Sequence, residues 1–264
     1  MIEAEQQTYE HVLYEGDDTV ALVSMNRPKK RNALSLDHMR ELISCLKAIG
    51  EARESSVVVL RGNGPAFCAG HDLSEMVGRD PEFYRRLFDV CCELMETIQS
   101  LPQPVIAQVH GVATAAGCQL AATCDLVVAS EDARFATPGV RIGLFCSTPM
   151  VALSRAVGQK KAMEMLLTGE FISAEEALAE GLVNKMVPVE ELEAETHALA
   201  EKIAEASPLV VGVGKGAFYR QLQMPTEQAY SYTKEVMSFN ATFADAQEGI
   251  CAFLEMRKPE WKDR

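Results

Sequence analysis

The sequence has no apolar run approaching the roughly 20 residues needed to span a bilayer, so no membrane partner is expected. Positive charge is in deficit: 25 Lys and Arg face 38 Asp and Glu, for a formal net charge of -13. A nucleic-acid partner needs a basic face to neutralise phosphates, so that class is set aside. A few local cations suffice to meet the phosphates of a small ligand, even on an acidic protein. The eight cysteines (45, 68, 91, 92, 118, 124, 146 and 251) include no CxxC pair and no Cys/His metal spacing. They read as reduced, mostly buried thiols, and no metal site is expected. No Ser/Gly linker or low-complexity stretch divides the chain. The N-terminal string MIEAEQQTYEH is acidic and polar, unlike a secretory signal or an Arg-rich transit peptide. A cytoplasmic location is expected, with a mature mitochondrial form as the alternative.

What is present is 264 residues of ordinary globular composition, 48% hydrophobic and 24% charged. The pattern predicts strands at Val20 to Met25, Val57 to Leu60, Val105 to Val109 and Leu126 to Ala129. Between them, Ser35 caps a helix with apolar positions at Leu36, Met39, Leu42, Ile43, Leu46 and Ile49, and Pro81 to Ser100 forms a second. Such alternation predicts an α/β fold with parallel pairing. Ser173 and Glu176 form a capping box, and Val183 to Val187 reads as a last strand. Helices are predicted at Glu190 to Ala206, Pro208 to Leu222, Thr226 to Ala241 and Asp245 to Lys258. Residues 1–200 read as the core of one continuous domain and 201–264 as its helical extension. The string Gly212-Val213-Gly214-Lys215-Gly216 invites a nucleotide-loop reading but lacks the following Ser or Thr and sits in a helical context. Met163 to Leu167 reads as a core-facing helix stripe.

Two stretches concentrate small residues where a strand gives way to a loop or helix: 64–73, and 110–120 with Ala115, Ala116 and Gly117. Amides at a helix start attract negative charge, and small side chains let an oxygen reach them. The other reading is that the small residues only permit close helix–sheet packing.

Taken together, several motifs resemble the enoyl-CoA hydratase/isomerase (crotonase) family. They are Asn26-Arg27-Pro28 with Arg31-Asn32-Ala33-Leu34, Ala69-Gly70-His71-Asp72-Leu73, Ala115-Ala116-Gly117-Cys118 and Cys124-Asp125. Phe135 to Gly139, Ile142-Gly143-Leu144, and Phe253 with Arg257-Lys258-Pro259 complete the series. The resemblance implies a crotonase-like spiral of ββα turns with a helical C-terminal trimerisation region. It implies a homotrimer or dimer of trimers, and coenzyme A thioesters as substrates, with no permanently bound cofactor. It also implies an oxyanion hole formed by the amides of His71 and Ala116, such donors being worth typically about 3–4 kcal/mol each. The CoA-lining positions carried over are Lys30, Asn32, Ala33, Leu34, Ala69, Gly70, Asp72, Leu73, Gly117 and Phe253.

The same resemblance exposes a departure. Where the family's hydratases carry two catalytic glutamates, this chain has Gln119 and Gly139. Gln119 can hold a water but cannot accept its proton, and Gly139 has no side chain. General acid–base catalysis is worth typically about 10²–10⁴-fold, so efficient hydration is not expected. Installing glutamate at both positions is expected to raise it. The acid of the family's dienoyl isomerases is replaced by Ser147. Substitute groups are His71, either a base in the useful pH range or a packing ring, and the Cys146-Ser147 pair. That pair is either a nucleophile with a water-positioning partner or a turn with a helix cap. Where the family often has a lysine after the Phe253 position, this chain has Met256; Lys29, Lys30 and Arg31 remain as phosphate ligands or as a solvated turn. His110 and Asp125 read as structural, and His11, His38 and His197 as surface or helix residues. Two function classes remain: an acyl-CoA enzyme with a reaction such as thioester hydrolysis, or an acyl-CoA binder that is catalytically weak or silent.

Overall fold

A computed structural model describes residues 9–17 and 19–262. In chain order the elements are β1 (Val12–Gly16), β2 (Val20–Met25), α1 (Leu36–Ala52), β3 (Val57–Gly62), α2 (Pro81–Ser100), β4 (Val105–Val109), β5 (Val112–Thr114) and α3 (Ala116–Thr123). There follow β6 (Leu126–Ser130), β7 (Arg134–Ala136), α4 (Pro149–Ala156), α5 (Gln159–Thr168), β8 (Ile172–Ser173), α6 (Ala174–Ala179), β9 (Lys185–Val187) and α7 (Leu192–Ala204). The chain closes with α8 (Pro208–Gln221), α9 (Thr226–Asn240) and α10 (Ala244–Leu254).

The larger sheet has the order β1-β2-β3-β4-β6-β9, antiparallel only at the β1–β2 hairpin. Its inner strands β2, β3, β4 and β6 read as nearly continuous apolar runs because both faces are covered, whereas the edge strand β1 is largely exposed. β3 shows this residue by residue. Val58 and Leu60 join the main core beneath α1 and α2, whereas Val57 and Val59 join a second cluster with Leu192 and Ala200 of α7. Fully burying each such side chain is worth roughly 1.5–3 kcal/mol.

A second, shorter ladder gives the chain its spiral. β5 pairs with β7 in parallel, and single bridges join Cys68 to Ala113 and Leu34 to His71. Each turn thus supplies one long strand to the outer sheet and a short extended segment to the inner ladder. This is the crotonase-like α/β fold. The inner segments are only two to three residues long in β5, β7 and β8, too short to show a period of two in the sequence.

Local chemistry sets the helix ends. Ser35 accepts the amide of His38, Asp80 accepts that of Phe83 ahead of Pro81, and Ser173 with Glu176 forms a complete capping box. The glycine string 212–216 lies inside α8. There Lys215 is buried, 2.7 Å from Asp125 and donating to the carbonyls of Ile98 and Gln103. Asp125 also accepts from Tyr219 and from the Val105 amide, so its structural reading holds. His110 likewise bonds the Gly64 carbonyl.

Several expectations are corrected. The stripe in α5 is half right: Met165 and Leu166 are buried, but Met163 and Leu167 are more than half exposed. His38 is a helix residue, as one of the two readings had it, and it is wholly buried. The last strand begins at Lys185, because residues 182–184 turn back on Ala177 and Val127 through their amides. α9 buries none of its residues within one chain. No helix among the described residues is long and apolar enough to cross a membrane.

Candidate active site

Two glycine-tight contacts bring the site together. A Cβ on Gly117 would lie 2.1 Å from the Cys68 carbonyl oxygen, and one on Gly70 would lie 2.9 Å from the Ala115 Cβ and 3.4 Å from the Ala116 nitrogen. Gly70 also has φ of +89°, a conformation glycine alone adopts without strain. The packing reading of the small residues is therefore correct for these two, and it is what sets residue 71 beside the start of α3.

The backbone then turns two amides loose. Parallel bridging uses the carbonyls of Gly70 and Leu34 and the amides of Leu34 and Asp72, which leaves the His71 N–H on the far side. At α3, Ala115 is the cap residue with φ 50° and ψ -117°, strained for a residue with a Cβ by about 1–3 kcal/mol. Its own amide donates to Ala136, so Ala116 N–H is an orphan of the first helical turn. Among the described residues no acceptor is bonded to the amides of His71 and Ala116. Both residues line one cavity of about 420 Å³.

Ala69, Leu73, Gly139, Cys146 and Ser147 also line it. The motif residues Ile142 and Leu144 form further wall with Phe145, and Met76 and Phe88 are the apolar lining residues that no motif singled out. The sequence signal of Met76 and Phe88 is their apolarity, ahead of α2 and within it. No carboxylate occurs among the described lining residues.

Other candidates form the frame behind the cavity. Asn32 is fully buried, accepts the Arg27 amide, and donates to the carbonyls of Asn63 and Ala66. Leu34 and Ala33 are buried beside it. Asp72 meets Arg27 at 3.0 Å, Lys30 at 3.7 Å and the Ser74 hydroxyl at 2.6 Å. Burial disfavours its carboxylate, but the bonds from Ser74 and Arg27 and the Lys30 charge outweigh this and lower its pKa. The Lys30 ammonium is thus held by the frame, at the surface. Phe253 is 82% exposed on α10 and borders a separate hollow with Trp261.

The departures from the hydratase pattern change character in three dimensions. Gln119 is buried away from the cavity lining, and its side-chain oxygen meets only the Cys91 thiol, at 3.9 Å. Gly139 has no room for a side chain: its Cβ would lie 2.1 Å from the Leu144 carbonyl oxygen and 2.8 Å from the Cys146 sulfur. A glutamate at 139 would require the Leu144 backbone to shift, which weighs against the gain in hydration expected from the double replacement. Burial pushes the Cys146 thiol upward, which disfavours the thiolate that a nucleophile needs. Ser147 is exposed in the turn, and the cap position of α4 belongs to Thr148, which makes no side-chain cap bond. His71 also departs from expectation: burial lowers its pKa to about 4, below the useful range for a base. The Leu34 backbone faces the ring and works against that shift, and Phe88 packs edge-on with centroids 5.6 Å apart.

The family model for enoyl-CoA hydratase/isomerase matches residues 15–264. The chain belongs to the enoyl-CoA hydratase/isomerase family. It is 49% identical over 247 residues to human enoyl-CoA hydratase domain-containing protein 3, mitochondrial, covering 92% of this chain and 81% of that protein. The rat protein of the same name is 47% identical over 245 residues, covering 92% of this chain and 82% of it. A crystal structure of Mycobacterium smegmatis enoyl-CoA hydratase superposes with a TM-score of 0.93 at 48% identity, covering 95% and 98% of the two chains. That of human enoyl Coenzyme A hydratase domain-containing protein 3 gives 0.93 at 46%, covering 95% and 100%. The strings ATAAGCQL, FATPGV and GLFCSTP are where the likeness to the domain-containing protein 3 group was legible.

Proposed function

We propose that this protein binds an acyl-CoA thioester in the cavity and polarises its carbonyl between the amides of His71 and Ala116. One observation carries the reading: two backbone donors without acceptors meet at a single apolar cavity, one of them held there by the strained backbone of Ala115. Fixed donors aimed at developing negative charge suit any reaction through an enolate or a tetrahedral oxyanion.

Hydration asks for more, because water must lose a proton and the α-carbon must gain one. With no carboxylate in the lining and a His71 ring of low basicity, that transfer has no efficient agent. Purified protein is expected to bind crotonyl-CoA in calorimetry while the conjugated enoyl absorbance declines slowly. Turnover typical of efficient hydratases would refute the slow-hydration part, and absence of binding would refute the site.

Thioester hydrolysis is the alternative reaction, and the raised Cys146 thiol disfavours a covalent route to it. Release of free CoA from a thioester panel tests this directly. We further propose a homotrimer or dimer of trimers as the working assembly. What supports it is the apolar surface that α9 and α10 leave uncovered, with Tyr230, Met237, Phe253 and Leu254 exposed. Sedimentation analysis reads the outcome.

A further inference from the structure

The face of the larger sheet that α7 covers carries a polar row that the proposed function leaves unused. Along β2, β3 and β4 this face is apolar at Val20, Val57, Val59 and Ile106, which pack with Leu192 and Ala200 of α7. Toward the strand ends it changes character: Ser24 pairs in register with Arg61, and Arg61 with Gln108. Arg61 donates through Nε to the Ser24 hydroxyl and through one Nη to Glu193, and no described residue bonds its other Nη. Gln108 is 8% exposed, yet no described residue bonds either end of its carboxamide. Neither end is among the enclosed polar atoms, so both open into the adjoining cavity. A buried carboxamide is nearly always hydrogen-bonded, so this one calls for a partner from outside the chain.

That cavity has a volume of about 310 Å³ and shares no lining residue with the one at the paired amides. Val20, Leu22 and Val59 give it an apolar floor, and Arg61 faces the acids Glu15, Asp17 and Glu193. Asp17 is occupied by the amides of Thr19 and Val20, whereas Glu193 is 77% exposed and free to turn from Arg61, 3.3 Å away. One guanidinium among three carboxylates disfavours a simple anion, a phosphate above all. A ligand that brings an ammonium beside its carboxylate suits the same wall. Its carboxylate accepts from Arg61 and from the Gln108 amide nitrogen, and its ammonium meets Glu193. The floor is left for a hydrocarbon side chain. We propose that this cavity is a second ligand site that takes an apolar α-amino acid, held as its zwitterion by Arg61, Gln108 and Glu193.

Calorimetric titration of the whole protein with L-leucine, isocaproate and isoamylamine tests it, the last two being leucine without its ammonium and without its carboxylate. Wild type is expected to bind leucine about tenfold more tightly than either analogue, the size of a hydrogen bond to a charged group. Glu193→Gln should remove most of the advantage over isocaproate, and Arg61→Met most of the advantage over isoamylamine. Gln108→Leu, apolar like the rest of that face, should weaken leucine severalfold. Because the first two effects are ratios read within one variant, a general loss of folded protein does not imitate them. Absence of leucine binding to wild type, or equal binding of leucine and isocaproate, overturns the inference and leaves Gln108 to solvent. Leucine ratios unchanged in both Arg61→Met and Glu193→Gln place the amino acid elsewhere and overturn it equally. None of these outcomes bears on the acyl-thioester site.

Discussion

Gly70 and Ala115 approach so closely that a Cβ on the first would sit 2.9 Å from the Cβ of the second. The contact joins two successive turns of the spiral and sets the spacing of the two free amides. Gly70→Ala combines this overlap with a φ of +89° and is expected to destabilise the fold by about 1–3 kcal/mol and to weaken acyl-CoA binding. Gly117→Ala, aimed at the Cys68 carbonyl, should cost at least as much. Gly214→Ala is the control: nothing lies within 4 Å of its Cβ position in α8, so a gain of about 0.5–1 kcal/mol is expected. Urea unfolding midpoints distinguish the three.

Two buried histidines make stability fall with acid. Burial lowers the pKa of both His38 and His71 to about 4, from an ordinary value of 6.5. Between those values the unfolded chain binds more protons than the folded one, so stability rises with pH across that window. It is fully present above about pH 6.5 and declines as pH falls toward 4, by about 2–3 kcal/mol for each histidine. His71→Phe and His38→Gln should each flatten the slope of unfolding free energy between pH 6.5 and 4.5. An unchanged slope in both would contradict the burial account.

The Lys215–Asp125 pair anchors the C-terminal helices. Lys215→Met leaves the Asp125 carboxylate with Tyr219 and one amide but no cation, which should destabilise by roughly 3–5 kcal/mol. The double variant Lys215→Met, Asp125→Asn should cost less than the sum of its parts, since it removes the stranded charge. A double-mutant cycle in denaturant reads the coupling.

Placing glutamate at 139 tests the steric argument. Gly139→Glu is expected to lower the unfolding midpoint or abolish soluble protein, and to give no gain in hydration when combined with Gln119→Glu. A stable double variant with faster loss of crotonyl-CoA absorbance would show that the 139–146 loop yields after all.

Much of the frame was legible because its signals are local. The stripe of α1, the caps at Ser35 and Ser173, and the apolar runs of β3 and β4 each act within a few residues. The spiral and the paired amides of His71 and Ala116 followed from the family resemblance, not from periodicity. What stayed hidden depends on contacts far apart in sequence. Asn32 reads as a lining residue until its side chain is seen spent on Arg27, Asn63 and Ala66. Gly139 reads as a missing acid until the Leu144 carbonyl is seen in its place, and His71 as a base until its burial is known. Short extended segments such as β7 are defined by their neighbours and leave no pattern of their own.

The backbone of Ala115 has a last consequence. Its unfavourable torsion angles are maintained by the rest of the spiral, so the direction of the next N–H is decided before any ligand arrives. A glycine there would relax the torsion and add conformational choices to the donor. Such a variant should melt no earlier than the parent yet hold its thioester less well, separating the robustness of the scaffold from the aim of the amide it carries.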